Sequence, residues 1–178
     1  MWRGAKSSLG GAVILAGAST LGDFVWANWI PGHRPIFGLI HGAVLFACLG
    51  CYLGVLRKRA GLGALAGAML GLLAAGSFYL LAPITGYSAM FVVWFLVWMA
   101  LGLLYRELQR ASLTVRAALG HGALAALGSG IAFYLISGIW RPFDPEGWDY
   151  LLHFGGWTLA YLPGFAALLI ERSPESGG

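Results

Sequence analysis

The sequence predicts an all-α membrane protein of six transmembrane helices, arranged as three tandem helical hairpins with both termini cytoplasmic. Three observations predict it. The first is composition: 59% of residues are hydrophobic, 10% are charged and the mean hydropathy is +0.77. A soluble domain carries charge on roughly a quarter of its residues, so lipid must serve as solvent here. The second is length. A spanning helix needs about 20 mainly apolar residues, and six runs qualify: 8–28, 35–56, 62–82, 87–105, 115–139 and 148–170. The third is charge placement. Arg3, Lys6, Arg57, Lys58, Arg59, Arg106, Arg110, Arg116 and Arg172 fall between or beside these runs on one side, and Arg34 and Arg141 on the other. Basic loops stay cytoplasmic, so the turns at 29–34, 83–86 and 140–147 are expected to face outward. The length suits one transmembrane domain in the cell inner membrane. The net charge of +4 lies between apolar runs rather than on one basic face, so no nucleic-acid partner is expected.

Each run must be helical or part of a closed barrel, because lipid satisfies no backbone N–H or C=O group. Barrel strands are shorter and alternate in polarity; these runs do neither. Residues 1–18 have a basic start and a short apolar run ending in Ala16-Gly17-Ala18, which resembles a signal-peptide cleavage site; the reading taken is that they stay as part of helix one. Helices three and five are rich in small residues. Gly63, Gly67 and Gly71 recur every four positions, as do Gly122, Ala126 and Gly130. Such faces let backbones approach where no hydrophobic effect drives association. Helices four and six carry bulk instead: Phe91, Trp94, Phe95 and Trp98, then Phe154, Trp157, Tyr161 and Phe165. The expectation is that odd helices pack centrally and even helices wrap them. Gly67→Leu should then cost far more than Trp98→Leu.

A repeat of one hairpin is expected over 8–56, 62–105 and 115–170. Gly22-Asp23-Phe24, Gly76-Ser77-Phe78 and Ile131-Ala132-Phe133 recur at offsets of 54 and 55 residues, each followed by Pro31, Pro83 or Pro142. Internal repeats are common in transporter folds, and they also arise by duplication with no transport role.

Ionisable residues inside a membrane are costly and point to function. Asp23, His41 and His153 each sit five or six residues from the outer end of their runs, roughly 7–9 Å deep at 1.5 Å per residue. Ser77, Ser137, Trp26 and Tyr134 fall near the same depth. The candidate ligand-binding set is therefore Asp23, His41, His153, Ser77, Trp26 and Tyr134. Three chemistries fit this layer: an outward-opening pocket for a small molecule, lipid or ion; a b-type haem with His41 and His153 as axial ligands; and a two-His, one-carboxylate metal site. A bland alternative is that Asp23 pins the first hairpin by bonding His41, while His153 faces headgroups.

Cys48 and Cys51 form a CxxC run mid-helix, which reads as buried free thiols. A Cys-Cys-His site with His121 is the sharper version. Trp26, Trp29, Trp140, Trp148 and Tyr87 form an outer aromatic belt, beside a charged outer face of His33, Arg34, Arg141, Asp144, Glu146 and Asp149. The polar tail from Glu171 to Gly178 has no apolar pattern. No phosphate loop, hydrolase triad or kinase signature is present. The leading expectation is a non-enzymatic protein that binds or translocates a small molecule or lipid. An accessory subunit of a larger membrane complex and a haem electron-transfer subunit are the alternatives.

Overall fold

A computed structural model describes residues 2–30, 35–110, 113–139 and 146–169. The expected turn residues Pro31, His33, Arg34, Trp140, Arg141, Pro142 and Asp144 lie outside the described residues, as do the tail from Glu171 to Gly178 and the side chains of Arg3, Tyr87 and Ser137. Six α-helices are present among the described residues: α1 (Trp2–Trp29), α2 (Pro35–Leu56), α3 (Ala60–Thr85), α4 (Ala89–Leu108), α5 (Val115–Ile139) and α6 (Asp149–Leu168). Five of them, α1 to α5, are long and apolar enough to cross a membrane. The chain is thus an all-helical protein of multi-pass membrane type. α6 is not among the five, because it spends its apolar length on His153, Trp157, Thr158 and Tyr161.

The chain reverses between helices with little loop. After α2, Lys58 takes φ 58. Its N–H donates to the Val55 carbonyl and that of Arg59 to the Gly54 carbonyl, at 3.2 and 2.7 Å. This is a Schellman closure with lysine where glycine is favoured. Arg110 takes the same φ after α4. Thr114 caps α5, its hydroxyl accepting the Ala117 N–H at 3.2 Å. Gly86, at φ 61, turns α3 into a short 3-10 segment, Gly86–Ser88, ahead of α4. Lys6, Arg57, Lys58, Arg59, Arg106 and Arg116 gather at one end of the bundle, here the basic end. There Arg57 donates to the Tyr105 hydroxyl and lies over its ring, 5.0 Å from the centroid. Arg59 donates to the Glu107 carbonyl at 3.0 Å. The α2–α3 turn is thereby tied to the end of α4.

The helices form a closed ring in chain order, with α1 packed against α6. The hairpin repeat is not supported as the unit of this fold. The broadest interface is α2–α3; α4–α5, α5–α6 and α1–α6 follow, while α1–α2 and α3–α4 are slight. Small residues decide this order. A Cβ at Gly63 would overlap the Gly50 carbonyl oxygen, one at Gly67 that of Phe46, and one at Gly71 that of Gly42. α2 thus supplies a glycine face, Gly42, Gly50 and Gly54, matched to that of α3. A second close approach sets Gly102 of α4 against Ala118 and Gly122 of α5. The proposed repeat motifs also differ in surroundings: the His41 ring leaves no room for a Cβ at Gly22, whereas Gly76 has only a Leu39 methyl at 3.9 Å.

The division into central odd helices and wrapping even helices does not hold either. Trp98 is 2% exposed and Phe165 0%, both on even helices, while Leu65 and Leu73 of α3 are 63% and 67% exposed. Helix α3 buries only its glycines and presents its leucines outward, as a lipid-facing surface does. Bulk fills the ring because glycine-lined seams bring backbones together at the rim and leave the interior to large side chains.

Candidate functional site

The seam between α1 and α6 is laced by polar side chains. Both helices place polar groups four residues apart, so successive groups share a face. Ser19 and Asp23 on α1 oppose Tyr161, Trp157 and His153 on α6. Ser19 Oγ and the Tyr161 hydroxyl are 3.0 Å apart. His153 Nε2 lies 2.8 Å from Asp23 Oδ2, and the Trp157 indole N–H reaches the same oxygen at 3.2 Å. Trp157 Nε1 is also 3.0 Å from His153 Nε2. With a hydrogen on Nε2, as in the Nε2–H tautomer or the imidazolium, His153 donates to the carboxylate alongside Trp157. Were Nε2 the acceptor, His153 could give Asp23 nothing. Nearer the helix ends, Asn28 donates to the Phe24 carbonyl at 2.8 Å and to the Tyr150 hydroxyl at 3.2 Å.

Both donors converge on Oδ2, and Oδ1 accepts from none of the described residues. The Asp23 side chain is 42% exposed, against 19% for His153. Asp23 also lines a cavity. This cavity, of about 560 Å³, runs between α1, α2, α3, α4 and α6. Its upper wall holds Asp23, Trp26, His41, Tyr79 and Trp157, close to the end opposite the basic one. Its lower wall is apolar: Leu15, Leu45, Phe46, Val97 and Leu101. Along α1, Asp23 and Leu15 are separated by about 12 Å at 1.5 Å per residue, so the cavity is amphipathic along the bundle axis.

Aromatic rings build one side of this space. Trp157 stacks on Tyr161 with centroids 5.2 Å apart, and Tyr161 stacks on Trp94 at 5.7 Å. Phe133 of α5 closes the group, 5.1 Å from Trp157 and 6.0 Å from Trp94. Trp98 and Phe165 meet edge to face below it at 5.5 Å. Such pairs add about 0.5–1.5 kcal/mol beyond their area. The group fixes the indole whose N–H meets Asp23.

The structure brings four of the six expected site residues together. Asp23, His41 and Trp26 line the cavity, and His153 reaches it through Asp23. His41 packs against the α1 backbone at Gly22, close enough for the Asp23 charge to act on it. Ser77 is exposed and Tyr134 is 69% exposed; neither lines the cavity. Ser77 lies one position from Phe78, which does line it, so the depth was shared and the helix face was not. Asp23 bonds His153 across the α1–α6 seam, and not His41 across the first hairpin. His153 is accordingly turned to the bundle and not to headgroups. Sequence reasoning missed Trp157, Tyr161, Ser19 and Tyr79. The four-residue spacing of Ser19 and Asp23, and of His153, Trp157 and Tyr161, was the signal available.

The donor set does not fit a bis-imidazole haem. His153 commits Nε2 to Asp23, and the Cε1 edge of His41, between its two nitrogens, faces Gly22. No group of three His, Cys, Asp or Glu side chains is placed to hold a metal ion among the described residues. Cys48 is exposed on α2 and Cys51 half-buried, both as free thiols. No protein family, curated protein or solved structure matches this chain.

Proposed function

We propose that this chain is a six-span inner-membrane protein, with both termini cytoplasmic, that binds or translocates a small molecule or lipid through an outward-facing polar layer. One observation carries the reading: the cavity of about 560 Å³ inside the ring, with Asp23 and His41 on its upper wall. Ligand sites are cavities of roughly 300–1,000 Å³, mostly apolar, with few well-placed polar groups. This one has that size and that distribution. A carboxylate in a membrane protein is costly and points to a pathway or a ligand, and Asp23 lines the cavity with Oδ1 unbonded among the described residues. The orientation follows from the basic end: Lys6, Arg57, Lys58, Arg59, Arg106 and Arg116 would be cytoplasmic by the positive-inside rule, placing Asp23 toward the outside.

The test fills the cavity. Ala74 and Val93 line it from α3 and α4. Ala74→Phe and Val93→Phe are expected to fold and to abolish two signals: small molecules retained on the native chain by native mass spectrometry, and saturable binding of a neutral apolar fluorophore in lipid nanodiscs, corrected for empty discs. Undiminished signals in both variants would reject the cavity as the site. Reporter fusions in the 57–59 and 86–88 turns test the orientation.

A further inference from the structure

We propose that the ligand of this cavity is a lipophilic organic cation, its positive centre held at Asp23 and its apolar groups in the lower chamber. This rests on the reading of the cavity as a ligand site. Charge complementarity carries it. Among the described residues no lysine or arginine lines the cavity, and Asp23 is the one carboxylate that does. Trp157 and His153 hold that carboxylate from one side. Both act on Oδ2. Oδ1 is thus the atom left to meet a ligand, and a carboxylate oxygen accepts from a cationic donor more strongly than from a neutral one.

The surrounding wall fits the same class. Trp26 and Tyr79 stand with Asp23 at the upper end, and aromatic faces attract organic cations through their negative quadrupole. A small hydrated metal ion would need several ligands, and no group of three His, Cys, Asp or Glu side chains is placed to hold one among the described residues. An organic cation needs one counter-charge and apolar walls, which Leu15, Leu45, Phe46, Val97 and Leu101 provide below. An anionic ligand would meet Asp23 with like charge, with no lysine or arginine among the described lining residues to offset it.

Tetraphenylphosphonium and tetraphenylborate have the same shape and opposite charge, so together they isolate the charge. Binding of each to the full chain in lipid nanodiscs would be measured by calorimetry, with empty discs subtracted. The expected result is saturable phosphonium binding at least about tenfold tighter than borate binding, the factor that a charge-assisted contact of about 1.4 kcal/mol gives. Asp23→Asn, which keeps the shape and an acceptor for Trp157, should lose at least that factor for the phosphonium while keeping the thermal midpoint. Binding of the borate as tight as that of the phosphonium, or an unchanged phosphonium affinity in Asp23→Asn, would overturn the cation proposal and leave the cavity reading standing. Binding of neither ion, with the neutral fluorophore still sensitive to Ala74→Phe, would overturn it too. Binding of none of the three probes removes both readings. Should Asp23→Asn fail to fold, the phosphonium–borate comparison on the native chain decides alone.

Discussion

Gly67→Ala tests whether the glycine seam between α2 and α3 organises the ring. A Cβ at Gly67 would overlap the Phe46 carbonyl oxygen and lie 3.1 Å from the Gly50 Cα. Both obstacles are backbone, so neither moves aside by a rotamer change. Carbon atoms in contact prefer about 3.5–4.0 Å, and a gap of 0.5–1 Å already forfeits a quarter to a half of each contact's attraction. The two helices must separate over several turns, including the matched approaches at Gly63 and Gly71. Inserting one methyl into a packed seam costs about 1–3 kcal/mol. In lipid no hydrophobic term offsets this loss of contact. Gly120→Ala is the control: nothing lies within 4 Å of the Cβ position there, and alanine gains about 0.5–1 kcal/mol of helix propensity. At about 2–4 °C per kcal/mol for a chain of this size, Gly67→Ala should melt several degrees below the native chain and Gly120→Ala at or above it. The assay is thermal unfolding followed by circular dichroism in one detergent. Equal midpoints for the two variants would refute the claim that backbone contact, rather than helix propensity, governs this seam.

Three further outcomes are expected. Trp98→Leu should cost about 2–4 kcal/mol, comparable to a blocked glycine seam, because Trp98 is buried among Trp94, Phe165 and Gly164; a near-neutral melt would show that even helices only wrap the bundle. A double-mutant cycle of Ser19→Ala with Tyr161→Phe should give a coupling of about 0.5–1.5 kcal/mol in unfolding free energy, and zero coupling would remove that hydrogen bond from the α1–α6 seam. Lys58→Gly should raise the thermal midpoint, since Lys58 holds φ 58 at a cost of about 1–2 kcal/mol that glycine avoids; a lowered midpoint would show that its side chain contributes more than the strain.

Much of the helix layout was legible in the sequence, and the packing between helices much less so. Length and hydropathy alone gave the helices, with bounds near those observed, because the need to satisfy backbone groups in lipid leaves no other regular structure. Chain order, however, does not say which neighbours pack. The hairpins were grouped by their outer turns, whereas Gly42, Gly50 and Gly54 match Gly63, Gly67 and Gly71 across the other turn. The glycines of α3 had been noticed on their own helix, and their partners on α2 had not been set against them. The bulky residues of α4 and α6 were assigned to the periphery because aromatic side chains suit a lipid boundary. Their four-residue spacing also suits a core stripe, and only packing separates the two.

The polar layer shows the same limit from another side. Depth is readable, since it follows from residue counts, and it singled out Asp23, His41 and His153, of which Asp23 and His41 stand on the cavity wall and His153 bonds Asp23. Azimuth is not readable without knowing the neighbours, and it excluded Ser77 and Tyr134 from the cavity. Asp23 illustrates why the distinction matters physically. A buried carboxylate needs donors, and its two come from α6, a helix 130 residues away in sequence that closes the ring. Had Asp23 been needed only to pin that closure, both of its oxygens could have been engaged and the side chain buried. Instead one oxygen takes both donors, and the side chain, 42% exposed, stands on the wall of a cavity lined by no lysine or arginine among the described residues. A pin that leaves half its capacity unspent inside a membrane is better explained as a pin that is also a site, and charge reversal between two ions of one shape separates these two roles without disturbing the fold.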